Sequence, residues 1–135
     1  MKKLIIMALA CMAFVAASAQ TSGEGEATVY CEIQCVYYNI FKSDVNVTAD
    51  FGIATGTGDS EGWICDRTTG KKRSFASPMA ALTYMAQFGW EFKSAYTTVR
   101  DDKSPRTATH YILTKKLPAN HTARDVVGDI CWRND

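Results

Sequence analysis

Ser77 to Tyr96, with the sequence SPMAALTYMAQFGWEFKSAY, is the stretch around which the rest of the chain is organised. Ser77 is a good N-cap because its hydroxyl can accept a hydrogen bond from an unpaired amide of the first turn. Pro78 suits the first helical position, where no N–H is needed, and Gly89 can adopt the left-handed conformation that ends a helix. The stretch therefore predicts a helix, a sharp stop and a strand that starts at once.

The apolar residues of this stretch change their spacing at Gly89. Before it, Leu82, Met85 and Ala86 fall on one stripe of the helix. After it, Trp90, Phe92 and Tyr96 occupy even positions, which predicts that they share one face of a strand. These aromatic residues are more simply explained as core than as a ligand-binding set.

Segments on both sides of the helix alternate as strands do. Before the helix, Cys31, Ile33 and Cys35 fall on one face of the first segment, and a short connection near Ser43 predicts an antiparallel hairpin with the second. Two further segments are short and flank a turn that contains Gly70. After Pro118, a short helix capped by Thr122 is predicted in the tail. The predicted strands are 29–41, 45–53, 63–66, 72–75, 90–99 and 108–116.

This order of elements predicts the fold class α+β. We expect an antiparallel sheet of about four main strands with one helix packed on one face, in the order β-β-α-β-β. The other face would carry polar residues with tyrosines among them, and Tyr30 and Tyr38 are the candidate interaction residues on it. Such a face is either solvated or a contact surface.

The first 19 residues have the features of a bacterial secretory signal peptide. Lys2 and Lys3 precede an apolar run, and Ala17-Ser18-Ala19 fits a cleavage site. The run is too short for a membrane span of about 20 residues. An alternative is lipid attachment at Cys11, although the apolar run continues past it. We therefore expect a signal peptide over 1–19, a flexible mature N-terminus over 20–28, a single α+β domain over 29–135 and no transmembrane span in the mature chain.

Charge and motifs exclude several classes of function. Without Lys2 and Lys3 the basic residues fall from 15 to 13 against 14 acidic ones, so the mature net charge is near −1 and indicates neither nucleic-acid nor anionic-membrane binding. The glycine-rich segment 54–62 lacks the Gly-Lys-Ser/Thr ending of a phosphate loop. Asp50-Phe51-Gly52 stands without the other protein-kinase motifs.

The sequences ALTYMAQFGWEFKSAY and HYILTKK resemble a bacterial family of domains of unknown function, in which an alanine-leucine helix ends in Gly-Trp-Glu before an apolar strand. VNVTADFG and TGKKRSFASPMAAL are similar to a subgroup of small secreted proteins from gut bacteria. The resemblance covers roughly Val29 to Leu117. It implies a small α+β sheet-and-helix fold and no particular activity, and Cys131 lies outside the shared pattern.

The mature chain contains four cysteines, an even number that in an exported protein favours disulfides: Cys31, Cys35, Cys65 and Cys131. Cys31 and Cys35 would lie about 13 Å apart on a strand, beyond the roughly 7 Å that a disulfide allows. If two bridges form, each of these two pairs with Cys65 or Cys131. Otherwise Cys31 and Cys35 are buried thiols, with which a Cys65–Cys131 bridge is also compatible.

The sequence offers no complete catalytic or metal-binding set. Cys31 and Cys35 are too far apart to share an ion, and His110 and His121 have no ligand spacing. No cofactor is expected. Glu91, beside Trp90, is the one acid that invites attention, although an outward-facing strand residue explains it more simply.

We therefore expect a non-enzymatic exported binding or interaction module, in the periplasm or at the cell surface after cleavage near Ala19, with a protein partner or a second copy. One alternative is a small enzyme with a cleft near the Gly52 to Gly62 loop that uses Cys65 or Glu91. Another is a self-associating structural subunit of the envelope. An exposed tyrosine-bearing patch or a free sheet edge would favour the first hypothesis.

Overall fold

The structure, a computed structural model, describes residues 25–37, 45–53, 61–99 and 107–133. Its elements are, in chain order, β1 (Glu26–Val36), β2 (Asn46–Asp50), β3 (Glu61–Ile64), α1 (Pro78–Ala86), β4 (Glu91–Val99), β5 (Thr107–Pro118), α2 (Ala123–Val127) and β6 (Trp132–Arg133). The strands form one antiparallel sheet in the order β4-β5-β1-β2-β3-β6.

The predicted fold of four main strands with one helix packed on a face is wrong, because the sheet has six strands and the two helices are short. The segment near Trp63 joins the main sheet as β3 and pairs with β2, and the tail adds β6 beside β3. α1 is nine residues and so about 13 Å long, whereas the 12 residues of β5 extend about 40 Å. The helix is therefore too short to cover the face.

The longest pairing in the sheet joins β1 to β5 and runs from Glu26↔Pro118 to Val36↔Ala108. β1 begins three residues before the predicted Val29, so the chain is already extended where a flexible N-terminus was expected. The predicted antiparallel pairing of the first two strands is confirmed, with Ile33 opposite Ala49. The predicted strand over 72–75 is wrong: Lys72 and Phe75 make only isolated bridges, to Cys65 and Val45.

The core lies on the face of β1 that carries Cys31, Ile33 and Cys35, as the alternation predicts. Phe51 lies near its centre, with its ring 5.6 Å from that of Trp90 and 5.7 Å from that of Trp132. Both helices contribute to the same core. The buried helical and tail residues are Ala81, Met85, Val126 and Ile130.

α1 begins and ends as predicted. The Ser77 hydroxyl accepts a hydrogen bond from the Ala80 amide (3.1 Å), and Gly89 has a positive φ of 82°. The buried stripe differs from the predicted one, because Ala81 and Met85 face the core while Ala86 is exposed. The capped ends fix the limits of the helix, and packing decides its rotation.

The prediction that the aromatic residues of β4 share one face is wrong, because the strand contains a β-bulge. The pairing with β5 shifts between Phe92 and Ser94, so that Phe92 lies opposite Leu113 and Tyr96 lies opposite His110. Leu113 and His110 are three residues apart on one strand and therefore face opposite sides of the sheet. Phe92 and Tyr96 thus occupy different faces, because the extra residue of a bulge reverses the alternation.

The tail is fixed to the far edge of the sheet. Thr122 caps α2 as predicted, and its amide donates to Asp125 Oδ2 (2.7 Å). Hydrogen bonds from the Thr122 backbone and hydroxyl hold the pKa of Asp125 below its usual range. A disulfide joins Cys65 to Cys131, with Cα atoms 4.9 Å apart. The Trp132 indole N–H donates to the Ala49 carbonyl (2.9 Å), which anchors β6 over β2.

Candidate functional site

We define the second face as the side of the sheet opposite to the core. By register it carries Glu32 and Gln34 of β1, Thr48 and Asp50 of β2, and His110 of β5. The residues that the two described helices bury belong to the core on the other side. Polar groups from neighbouring strands therefore stand together on a surface that neither helix covers.

His110 is the central side chain of this face and is buried, with 7% of its surface exposed. Its Nδ1 lies 2.7 Å from Glu32 Oε1, and because a carboxylate can only accept, Nδ1 is the donor. Its Nε2 lies 2.8 Å from the Thr98 hydroxyl and 3.4 Å from the Gln34 amide nitrogen. The ring therefore connects β1, on one side of β5, to β4 on the other.

Tyr96 supports this arrangement from β4. Its ring stacks on the His110 ring, with centroids 4.5 Å apart and planes within 6° of parallel. Its hydroxyl donates to Glu32 Oε2 (2.8 Å), and this hydrogen bond raises the pKa of Tyr96. Both Glu32 oxygens are thus occupied. The Thr98 hydroxyl, the His110 imidazole and the Glu32 carboxylate form a chain of hydrogen bonds, in the order of a general-base relay.

A small cavity of about 60 Å³ lies beside the His110 network on the same face. Thr48 donates to Glu61 (2.5 Å) at its rim. The volume suits a few water molecules rather than an organic ligand. Three of its five lining residues are acidic, so the cavity presents mainly hydrogen-bond acceptors. The lining residues are Glu32, Gln34, Thr48, Asp50 and Glu61.

β4 is an edge strand, because among the described strands it has a neighbour on one side only. All nine of its residues are exposed except Thr98, which is half-buried. Three of them are large apolar residues, with exposed fractions of 58% for Phe92, 47% for Tyr96 and 68% for Val99. An edge strand presents unpaired N–H and C=O groups, which can pair with another chain.

The structure separates the residues that the sequence singled out. Tyr30 is on the second face and 60% exposed, whereas Tyr38 lies outside the described residues, as do 1–24 and 54–60. Glu91 is exposed at the start of β4. Cys65 is bonded to Cys131, so it holds no free thiol with which to act in catalysis.

Cys31 and Cys35 are free, buried thiols, which is the alternative to two disulfides that the sequence left open. Both lie in the core, and burial is the main cause of the changes in their pKa. It raises the pKa of Cys35 to about 11 and that of Cys31 further, with the nearby charges of Asp50 and Glu32 adding to the effect. Because the thiolate is the reactive form, burial disfavours reaction at both cysteines.

The residues that sequence reasoning missed are Glu32, Thr98 and His110 as one group. They are separated by up to 78 positions and meet only through the pairing of β1, β5 and β4. The bulge also decides which β4 side chains reach His110. The one local signal was a histidine inside a predicted strand.

Comparison of the chain with protein-family models, with curated proteins and with solved structures finds no match. The resemblance to the Gly-Trp-Glu family stays a prediction. In the described part of the chain, histidine, cysteine and acidic side chains form no group of three or more that could hold a metal ion. Neither described helix has the length and apolar character needed to cross a membrane.

Proposed function

We propose that this protein is an exported, non-enzymatic interaction module that binds a partner through β4 and the adjoining second face. The observation that carries the proposal is the nine-residue edge strand, exposed along almost its whole length and bearing Phe92, Tyr96 and Val99. Chains that add a strand to such an edge gain affinity from main-chain hydrogen bonds and specificity from side-chain contacts.

Export is proposed from the leader-like residues 1–19, and the Cys65–Cys131 bridge supports it. Disulfides persist in oxidising compartments such as the periplasm and are rare in reducing ones. The intact mass of the chain recovered from a bacterial host tests this part directly. A mature protein that begins at Gln20 is expected. A chain lipidated at Cys11 would point to membrane anchoring, and an unprocessed chain would contradict export.

Site-specific photo-crosslinking tests the binding surface. A photoreactive residue at Val99 of β4, in a bacterial host that exports the chain, is expected to yield a discrete adduct with a partner. Met79 on α1 is the matched control, because it is also a large apolar residue with more than half of its surface exposed. The same adducts at both positions, or none at Val99, would contradict binding through β4.

The Thr98–His110–Glu32 series favours one second candidate, acyl transfer, which the same protein can test. With p-nitrophenyl acetate, the Thr98 oxygen would take the acetyl group, its proton would pass to His110 Nε2, and p-nitrophenolate would leave. The interaction hypothesis expects no more acetylation at Thr98 than at its neighbour Thr97, measured by peptide mass spectrometry. Selective acetylation of Thr98 that His110→Gln abolishes would instead identify an enzyme.

A further inference from the structure

A groove of about 650 Å³ opens at the start of β4 and crosses onto β5 and β1. This volume is typical of ligand sites, which occupy roughly 300–1,000 Å³. Tyr30 lines the groove from the second face and Phe92 from the core face, and both are more than half exposed. We call it the lysine groove, because three of its nine lining residues are lysines and one is acidic; its charged residues are Lys93, Lys115, Lys116 and Glu91.

The lysines of the groove are held in different ways. Lys115 is on the core face by register, and its Nζ donates to the Phe88 carbonyl just after α1 (2.6 Å), so its charge is fixed on the opposite side of the sheet from Lys116. Lys116 pairs with Glu26 (3.0 Å), but both side chains are more than half exposed. Exposed pairs contribute little to stability, so Lys116 can exchange Glu26 for another carboxylate at little cost. Lys93 is exposed at the bulge of β4 itself.

The groove and the free edge are continuous, because Glu91, Phe92 and Lys93 belong to both. A strand that paired with β4 would therefore pass the lysines at one end. A lysine on an edge strand opposes pairing with most chains, because its ammonium group must stay in contact with water or be neutralised by an acidic group when a second strand is added. A strand that brings carboxylates to this point neutralises it.

We infer that the occupant of β4 is an extended acidic segment of a partner protein, which adds a seventh strand to the sheet and places its carboxylates in the lysine groove. This inference rests on the proposed function and specifies the chemistry of the partner. A second copy of this chain fits less well, because it would bring three more groove lysines to the interface.

Fluorescence anisotropy with a defined peptide tests the inference. The probe is a fluorescein-labelled nine-residue peptide in which glutamate alternates with threonine or valine, added to the mature protein. Saturable binding is expected, whereas the same peptide with lysine in place of glutamate should not bind. The affinity should also fall as salt is raised, because the contacts are between exposed charges.

Two protein variants and one peptide variant separate the contributions of charge and strand pairing. Lys93→Glu together with Lys116→Glu should weaken binding about tenfold or more. A tenfold change corresponds to about 1.4 kcal/mol of binding free energy. Lys71→Glu, an exposed lysine in the turn before α1, is the control and should bind as the wild type does. A peptide N-methylated at every residue keeps its charge, loses its main-chain donors and should bind at least tenfold more weakly.

Each other outcome overturns the inference in a different way. Equal binding of the N-methylated peptide, or full competition by dextran sulfate without any preference for the peptide, would show a surface that binds anions without strand pairing. A mass that doubles with concentration in light scattering, with no peptide binding, would assign the edge to a second copy. Absence of all peptide binding alongside a discrete Val99 adduct would reject the acidic partner and leave the proposed function standing.

Discussion

His110 is held between two strands by side chains from both, with Glu32 on β1 and Tyr96 and Thr98 on β4. These contacts pass over β5, so they connect the edge strand to the middle of the sheet in addition to the main-chain ladder. If β4 is the binding element, this network fixes the surface presented to a partner. The residue therefore supports the site without any need to touch the ligand.

Replacement of His110 by alanine should destabilise the protein by about 1–3 kcal/mol, because the buried ring and the hydrogen bonds of Glu32 and Thr98 are lost together. The midpoint of urea unfolding measures the change. His121→Ala is the control, since this exposed residue should shift stability by no more than about 0.5 kcal/mol. Equal midpoints for the two variants would mean that the network contributes nothing to stability.

Cys31 and Cys35 should resist alkylation in the native protein. With its pKa raised to about 11, Cys35 is a thiolate in only about one molecule in a thousand at pH 8, and Cys31 in fewer still. Iodoacetamide should therefore add nothing to the folded chain prepared from Gln20 onward and two groups to the same chain in denaturant, as measured by intact mass. Adducts on the folded protein would reveal a reactive cysteine. The variant that combines Cys31→Ala with Cys35→Ala is the control, and it identifies the mass peaks that belong to alkylation of these two residues.

Among the elements, α1 could be predicted from sequence because its determinants are local: Ser77 and Pro78 at one end and Gly89 at the other. The central strands followed from their alternation in the same way. The bulge near Lys93 and the two-residue β6 could not be predicted, because each exists only through pairing with a distant strand. The same limit applies to the candidate site, which depends on the register of three strands.

Gly62 permits the close approach of β3 and β6. A Cβ added there would lie 2.6 Å from the Trp132 indole and closer still to the Arg133 carbonyl. Gly62→Ala should therefore cost about 1–3 kcal/mol, as overpacking does, and alter the tryptophan fluorescence of the folded state. Gly128→Ala is the matched control, because Gly128 has an ordinary φ of −58° and a Cβ added there would make only an ordinary van der Waals contact, 3.7 Å from the Asp125 carbonyl oxygen. Unchanged stability of Gly62→Ala would show that β6 is not packed as described.

At the scale of the whole molecule, the disulfide joins the tail to the sheet. α2 has five residues and β6 has two, so neither is long enough to be stable alone. Cys131 lies between them and is bonded to Cys65 beside β3. The bridge adds to the core packing of Val126, Ile130 and Trp132 in holding the tail, and disulfides persist in oxidising compartments such as those to which the proposed export would take the chain.

Removal of this bridge should free the tail before the sheet unfolds. Because it closes a loop of 66 residues, chain entropy gives it about 4 kcal/mol, and losses of about 2–4 kcal/mol are typical. Cys65→Ala with Cys131→Ala should show this loss, with amide exchange accelerated over 123–133 and still slow in β1 and β5. Reductant should lower the stability of the wild type by a similar amount and leave the double variant unchanged. If reductant left the stability of the wild type unchanged, this would contradict the bridge, because the tail would then be held by packing alone.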